Sequence, residues 1–364
     1  MKAIGLMSGT SLDGVDVALI ETDGEGIASF GPAGYRAYSP AERATLRGAL
    51  DTAVHITDRS ARPGIVADAE ALVTRAHAEA VDEFISRNAL RRDDVDIVGF
   101  HGQTVLHRPS EHLTVQIGDG AELARVLKLP VVSDFRAADV AAGGQGAPFV
   151  PVYHRALALM AKCTSPVVIL NIGGVSNITY IDGEILIACD TGPGNALLDD
   201  FMLRAAGVAI DRDGRSANIG KPDLNWIANA LKHPFFALPP PKSLDRNDFA
   251  AFAIGGMLPE DGAATLTAFT AAGIARVIPL LPQSPRSWIV VGGGANNPTL
   301  LKMLAEAVAS AGVVTGHSLG WSGDAIEAQA FAYLAVRSLK GLPLTFPGTT
   351  GVSAPLTGGV LAKP

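Results

Sequence analysis

Apolar and polar positions alternate in two short runs near the start of the chain, "KAIGLMSG" and "VDVALIET", separated by a turn of Ser, Gly, Thr and Asp. Period-two runs flanking such a turn predict a β-hairpin. "IASFGPAGYRAYS", after the turn "DGEG", predicts a third strand, and helical spacing follows over residues 40–54 and 66–89. "DIVGFHGQTVLH", "LTVQIG" and "PVVSDF" read as strands. "DGAELARVLKL" reads as a helix opened by Asp119, whose short side chain can accept from first-turn amides. "RAADVAAGGQGAPFVP" reads as a long loop. The pattern then starts again. "PVVILNIGGVSNITYIDGEILIACD" holds three strands broken at Gly173-Gly174 and Asp182-Gly183, and "NALLDDFMLRAAG" is a helix. Residues 211–260 read as loops with short helices. "LTAFTAAGIARVIPLL" is a helix, "SWIVVGGGANNP" a strand with a loop, and "PTLLKMLAEAVASAG" and "DAIEAQAFAYLAVRSL" are closing helices.

At 364 residues the chain exceeds one ordinary core. The repeated pattern predicts two related α/β domains, 1–160 and 161–364, with a cleft between them. With 48% hydrophobic and 18% charged residues, the composition supports large cores and argues against disorder. The net charge is −7 with no Lys/Arg cluster, which speaks against nucleic acid or an anionic membrane as partner. The two cysteines, Cys163 and Cys189, lie in or beside apolar runs and read as free thiols in a reducing compartment. No charged-then-apolar leader follows Met1 and no uninterrupted apolar run reaches 18 residues, so the expectation is a cytoplasmic protein.

Three places combine a strand, a glycine turn and small polar side chains: residues 8–13, 171–177 and 291–298. Glycine admits close approach of a ligand, and successive N–H groups in a turn make an anion seat. The third turn also feeds a helix N-terminus. A single hairpin glycine is explained by sterics alone; three such turns point to a nucleotide. "GRSANIGKPD" fails as a Walker loop, because five residues separate Gly214 from Gly220 where four are required, and Pro222 follows Lys221. No turn matches G-x-G-x-x-G. A triphosphate would therefore rest on backbone amides and Mg²⁺.

"GEILIACDTGPGNALLDDF" carries the base chemistry. Residues 185–189 predict a buried strand with Asp190 at its carboxyl end. Gly192, Pro193 and Gly194 make a tight loop, and Asn195 stands where it would cap the next helix. A carboxylate beside free amides suits base catalysis next to a phosphate; the alternative is an Asp that only braces a turn. "GHSLG" at 316–320 fits a nucleophile elbow, but no histidine follows Asp324, so the hydrolase order fails. An actin-like or chaperone role would require an interaction surface that the sequence does not display. His101, His107 and His112 lack the cysteine or carboxylate company of a zinc site. His101, Gln103 and His107 read as substrate contacts or strand packing, and Trp226 and Trp321 as stacking groups or core.

Together "GLMSGTSLDGVDVAL", "GFHGQTVLHRP", "DFRAADVAAGGQGAPFVP", "LNIGGVSNIT", "DTGPGNALLD" and "VGGGANNPTLL" resemble the anhydro-N-acetylmuramic acid kinases along nearly the whole chain. The resemblance implies the sugar kinase/Hsp70/actin fold, with two RNase H-like domains around an interdomain cleft. It implies ATP, Mg²⁺ and water acting on 1,6-anhydro-N-acetylmuramic acid to give N-acetylmuramic acid 6-phosphate in cell-wall muropeptide recycling, with a related anhydro-sugar such as levoglucosan as the alternative substrate. The family's base matches Asp190. Its ATP hairpin matches Gly9, Thr10, Ser11, Leu12, Asp13, Gly14, Val15 and Asp16, with Asp13 the metal candidate. Gly173, Gly174 and Asn177 match the second phosphate turn, Gly192, Gly194 and Asn195 adjoin it, and Gly293, Gly294 and Asn296 match the adenosine-side loop. For the sugar, the expected contacts are His101, Gln103, Arg136, which would grip the lactyl carboxylate, and Glu327. A homodimer is the expected assembly.

Overall fold

The first alternating runs form β1 (Lys2–Met7) and β2 (Gly14–Thr22), paired antiparallel with Met7 opposite Asp16, and β2 continues antiparallel into β3 (Ile27–Ala37). This is a computed structural model that describes residues 1–244, 252, 254–308 and 311–364. β4 (Ile97–Phe100) joins β1 in parallel. β5 (Gln103–Arg108) and β6 (Leu113–Ile117) pair in a small sheet of their own. β7 (Val131–Ser133) joins β4 in parallel, and Val360–Ala362 closes that edge antiparallel. The main sheet thus runs Val360–Ala362, β7, β4, β1, β2, β3. Strand alternation sends Ile4 and Leu6 into the core shared with Val66, Val73 and Phe84 of the Ile65–Arg87 helix. Gly5, between them, faces the other way, against the Ile326–Leu339 helix: a Cβ there would lie 1.8 Å from the Ala328 carbonyl oxygen. Gly99 meets the Phe331 carbonyl oxygen of the same helix in the same way, at 2.0 Å.

The second unit repeats the plan. β8 (Val167–Ile172), β9 (Val175–Asp182) and β10 (Ile185–Pro193) form an antiparallel meander. β11 (Ser287–Val291) and β12 (Gly312–Thr315) add in parallel, giving the order β10, β9, β8, β11, β12. Its core gathers Val168, Leu170 and Ile172 with Tyr180, Ile274, Trp288 and Leu304. The stretch Pro259–Leu280 is long and apolar enough to cross a membrane by composition, yet 61% of that window is buried inside the protein, as suits a core helix. Three antiparallel strands followed by two parallel ones, in the same spatial order twice, are two RNase H-like units, as expected.

The units are Met1–Met160 with Asp324–Pro364, and Ala161–Gly323. The expected second domain, 161–364, therefore loses its last stretch to the first unit. The cause is packing: Gly5 and Gly99 leave room for the apolar Ile326–Leu339 helix on β1 and β4, and Val360–Ala362 pairs with β7. The chain does not close on helices, since this strand follows the short helix Pro347–Thr350. The expected loop at 136–151 contains the helix Ala137–Ala141 and leads into the helix Pro151–Met160. "DIVGFHGQTVLH" divides at Gly102, whose φ is +71°, into β4 and β5. Within the expected loop 211–260, residues 245–251 and 253 lie outside the described residues, as do 309 and 310 at the end of the Pro298–Val308 helix. Cys163 and Cys189 are free thiols.

Gly5→Ala drives a methyl into the Ala328 carbonyl and is expected to lower stability by at least the roughly 1–3 kcal/mol usual for overpacking. Gly312→Ala, at a site with nothing within 4 Å, is the control and stays within about 0.5 kcal/mol of the parent in urea unfolding.

Candidate active site

In the first unit the β1–β2 turn is fastened from below. The buried Ser8 hydroxyl donates to Gln103 Oε1 at 2.5 Å and lies 3.1 Å from the Tyr38 hydroxyl, while Gln103 Nε2 donates to the Gly9 carbonyl at 3.1 Å. The tip is thereby held with Thr10, Ser11 and Asp13 exposed. Asp13 Oδ1 accepts from the Ser11 hydroxyl at 2.5 Å and from the Gly14 amide at 3.1 Å. Leu12 (φ 55°) and Val15 bury their side chains, so only their main chain is left for a ligand. Gln103, expected at the sugar, is 1% exposed and spent on the turn.

Asp16 shares this end of the unit with Asp13, Asp324 and Glu327. Burial, then the charges of Asp13, Glu327 and Asp324, push its carboxyl up to about 6. Among the described residues no three His, Cys, Asp or Glu side chains come together as a metal cage. Mg²⁺ needs none, because it takes one or two carboxylates with substrate phosphates and keeps its waters. This group of carboxylates, of which Glu327 is opposed by Arg136, fits such an ion, with Asp16 as strong a candidate as Asp13.

Arg136 is organised by neutral groups. Its Nε and Nη2 lie 3.1 and 3.0 Å from His101 Nε2, Nη1 donates to the Gly146 carbonyl at 2.6 Å, and the guanidinium sits 5.4 Å over the Phe149 ring. The carboxylates nearest to it in sequence are engaged elsewhere. Asp134 pairs with Arg59 at 2.6 Å, and Asp139 accepts from the Gly146 amide at 2.7 Å and the Thr350 hydroxyl at 2.6 Å. Burial lowers Arg136 to about 10, opposed by the charges of Glu327 and Asp139. Loss of hydration raises the Glu327 carboxyl, opposed by Arg136. His101 is 4% exposed and packs on Phe331 at 4.6 Å, one helical turn beyond Glu327. Its ring nitrogens meet the Gly102 carbonyl and Arg136. His107 is bound to Thr114 and Gln145, and His112 to the Val140 carbonyl, which leaves no histidine metal set.

In the second unit the glycine segments converge. The Gly194 amide donates to the Gly174 carbonyl at 2.9 Å and the Asn195 amide to the Gly173 carbonyl at 2.7 Å. A Cβ on Gly194 would lie 2.3 Å from the Gly173 oxygen, so only glycine allows this contact. Asn195 makes no side-chain cap on the Ala196–Ala206 helix; Nδ2 donates to the Ile172 carbonyl at 3.2 Å and lies 3.5 Å from where a Gly293 Cβ would be. Gly294 packs on Ile172 and Gly292 on Asn171, bringing the 292–296 turn to the same strand ends.

Asp190 stands inside β10, three residues before the end of a strand longer than the sequence suggested, next to a bulge before Gly192. Thr191 turns inward to Ser176, its hydroxyl 2.7 Å away. Asp190 is paired across the sheet with Asn177, and Asn177 with Asn171, so the three side chains share one face. Its Oδ2 accepts from the Leu244 amide at 2.8 Å, and its own amide donates to the Lys242 carbonyl at 2.9 Å. Burial pushes this carboxyl up to about 6, against the Leu244 amide and the Lys242 charge. Lys242 Nζ itself donates to the Phe235 carbonyl at 2.9 Å over the Phe235 ring. This carboxylate is thus held by main chain, with Oδ1 unclaimed among the described residues.

Sequence reasoning placed Asn171 at the start of the second glycine turn without pairing it with Asp190, and missed the Lys242–Leu244 stretch, which nothing local marks. The remaining motifs resolve as structure. The Ser318 hydroxyl donates to the Thr315 carbonyl at 2.7 Å within a short helical turn, so the elbow is absent. Trp226 packs edge-on to Phe269, and Trp321 is buried.

A sequence profile described as anhydro-N-acetylmuramic acid kinase matches residues 1–363. Proteins named anhydro-N-acetylmuramic acid kinase from Nitrobacter winogradskyi and Bradyrhizobium diazoefficiens are each 67% identical over 365 residues, covering all of both chains. Among solved structures, the activator of the 2-hydroxyisocaproyl-CoA dehydratase from Clostridium difficile with bound ADPNP is 12% identical, with a TM-score of 0.45 over 94% of this chain and 96% of that one. With a matching profile and full-length relatives at this identity, the chain belongs to the anhydro-N-acetylmuramic acid kinase family.

Proposed function

We propose that this protein uses ATP to open 1,6-anhydro-N-acetylmuramic acid with water and phosphorylate the released O6, giving N-acetylmuramic acid 6-phosphate. Asp190 takes a proton from the water as its oxygen bonds to the anomeric carbon. The bond from that carbon to O6 breaks, and O6 attacks the γ-phosphorus as the bond from it to the β–γ bridging oxygen breaks and ADP leaves, so one base serves both events. The observation that carries the reading is Asp190 itself: a half-buried carboxylate, one oxygen held by the Leu244 amide, in a polar row with Asn177 and Asn171 beside the glycine segments of its own unit. The amides of those turns and of the β1–β2 tip suit phosphate, and a Mg²⁺ held near Asp13 and Asp16 would neutralise charge on it. Arg136 takes the lactyl carboxylate and Glu327 a sugar hydroxyl. A cytoplasmic setting and a homodimer belong to the same reading. Levoglucosan and other sugars without a carboxylate leave Arg136 without its anion and are not favoured.

Incubation with ATP, Mg²⁺ and the anhydro-muramoyl sugar should yield the 6-phosphate by mass spectrometry. Asp190→Asn is expected to keep both ligands bound and lose about 10²–10⁴ in turnover; near-normal turnover removes Asp190 from the mechanism. Because the base acts only when ionised and sits near pH 6, kcat should fall as pH drops through about 6 and level off above it. A profile flat between roughly pH 5 and 8 contradicts that role. Arg136→Ala should raise KM for the muramoyl sugar by roughly 10–100-fold, the worth of a charged hydrogen bond, and leave KM for ATP nearly unchanged; equal weakening of both rules out the lactyl contact.

A further inference from the structure

We propose that His101 is the positioning residue that sets preference for a carboxylate-bearing sugar, acting through Arg136. The inference rests on the reading of Arg136 as the group that takes the lactyl carboxylate. A guanidinium only donates. With Arg136 Nε and Nη2 at 3.1 and 3.0 Å from it, His101 Nε2 must present a lone pair. The ring proton therefore sits on Nδ1, 2.8 Å from the Gly102 carbonyl, which can only accept. His101 is thus a neutral imidazole in one defined tautomer, wedged on Phe331. It moves no proton and touches no substrate.

What this anchor does follows from what it is not. A carboxylate in the place of His101 would orient Arg136 equally well but neutralise it. The nearby Asp139 is withheld from that part by the Gly146 amide and the Thr350 hydroxyl, and the Gly146 carbonyl then holds Arg136 Nη1. Three of the five guanidinium N–H groups are used on neutral acceptors. Two N–H groups remain without a partner among the described residues, and Glu327 and Asp139 act on the charge from a distance without a hydrogen bond to it. Burial makes that charge costly until an anion arrives. A rigidly held guanidinium with no carboxylate bonded to it favours a substrate carboxylate over a hydroxyl at the same position.

The test compares kcat/KM for 1,6-anhydro-N-acetylmuramic acid with that for 1,6-anhydro-N-acetylglucosamine, which lacks the lactyl group. His101→Leu should lower this ratio about tenfold or more, through KM of the muramoyl sugar, leaving KM for ATP unchanged. His101→Gln, which offers an amide oxygen to the guanidinium, should restore most of the ratio. An unchanged ratio in His101→Leu, or no better ratio in His101→Gln than in His101→Leu, overturns the proposal. Nitrogen-15 NMR of the unsubstituted protein checks the tautomer directly: a protonated Nδ1 and bare Nε2 at His101 are expected, and a protonated Nε2 overturns it. If Arg136→Ala itself leaves the ratio unchanged, the lactyl reading fails, while the tautomer measurement still tests the anchor.

Discussion

A charge withdrawn from water must be paired, hydrogen-bonded or neutralised, and Arg136 and Asp190 are held by neutral groups instead of by ions in contact. An imidazole nitrogen and a peptide carbonyl hold the guanidinium, while a peptide amide holds the carboxylate. Each group is oriented and left reactive. Burial pulls Arg136 down to about 10 and pushes Asp190 up to about 6, so both remain charged at neutral pH yet gain from an incoming partner of opposite sign or from a proton.

The glycine turns serve the same end by a different route. A loop rich in amides is useful to phosphate only if its own carbonyls do not collapse onto those amides. In the first unit, Ser8, Gln103 and Tyr38 fasten the turn at its base and leave the tip projecting. In the second, the start of the Ala196–Ala206 helix is tied to the Gly173 and Gly174 carbonyls, at an approach only Gly194 permits. The bulge after Asp190 belongs to this arrangement, since it turns Thr191 inward to Ser176 and keeps Asp190 level with Asn177 and Asn171. A bulge of this kind re-aims side chains without ending the strand.

Much of this was legible in one dimension. The hairpins, the breaks at Gly173-Gly174 and Asp182-Gly183, the Asp119 cap and the repeat of the strand pattern are local, and local spacing reports them. The glycine turns and Asp190 were visible because each pairs a backbone need with a residue type. Asn195 looked like a cap from its position and proved to be a bridge to the Ile172 carbonyl, because its backbone is already helical, at φ −78° and ψ −20°, where a capping residue is extended.

The sequence by itself determined most of the strand and helix order, the family motifs and Asp190 as the candidate base. Tertiary structure alone decided that residues 324–364 return to the first unit, that Gln103 and His101 work beneath the turn and the guanidinium, and that Lys242 and Leu244 clamp Asp190. The reason is physical. These contacts join residues far apart in the chain through backbone carbonyls and amides, which every residue carries alike. Side-chain type marks where a charge is, while only the folded chain shows which neutral atoms hold it.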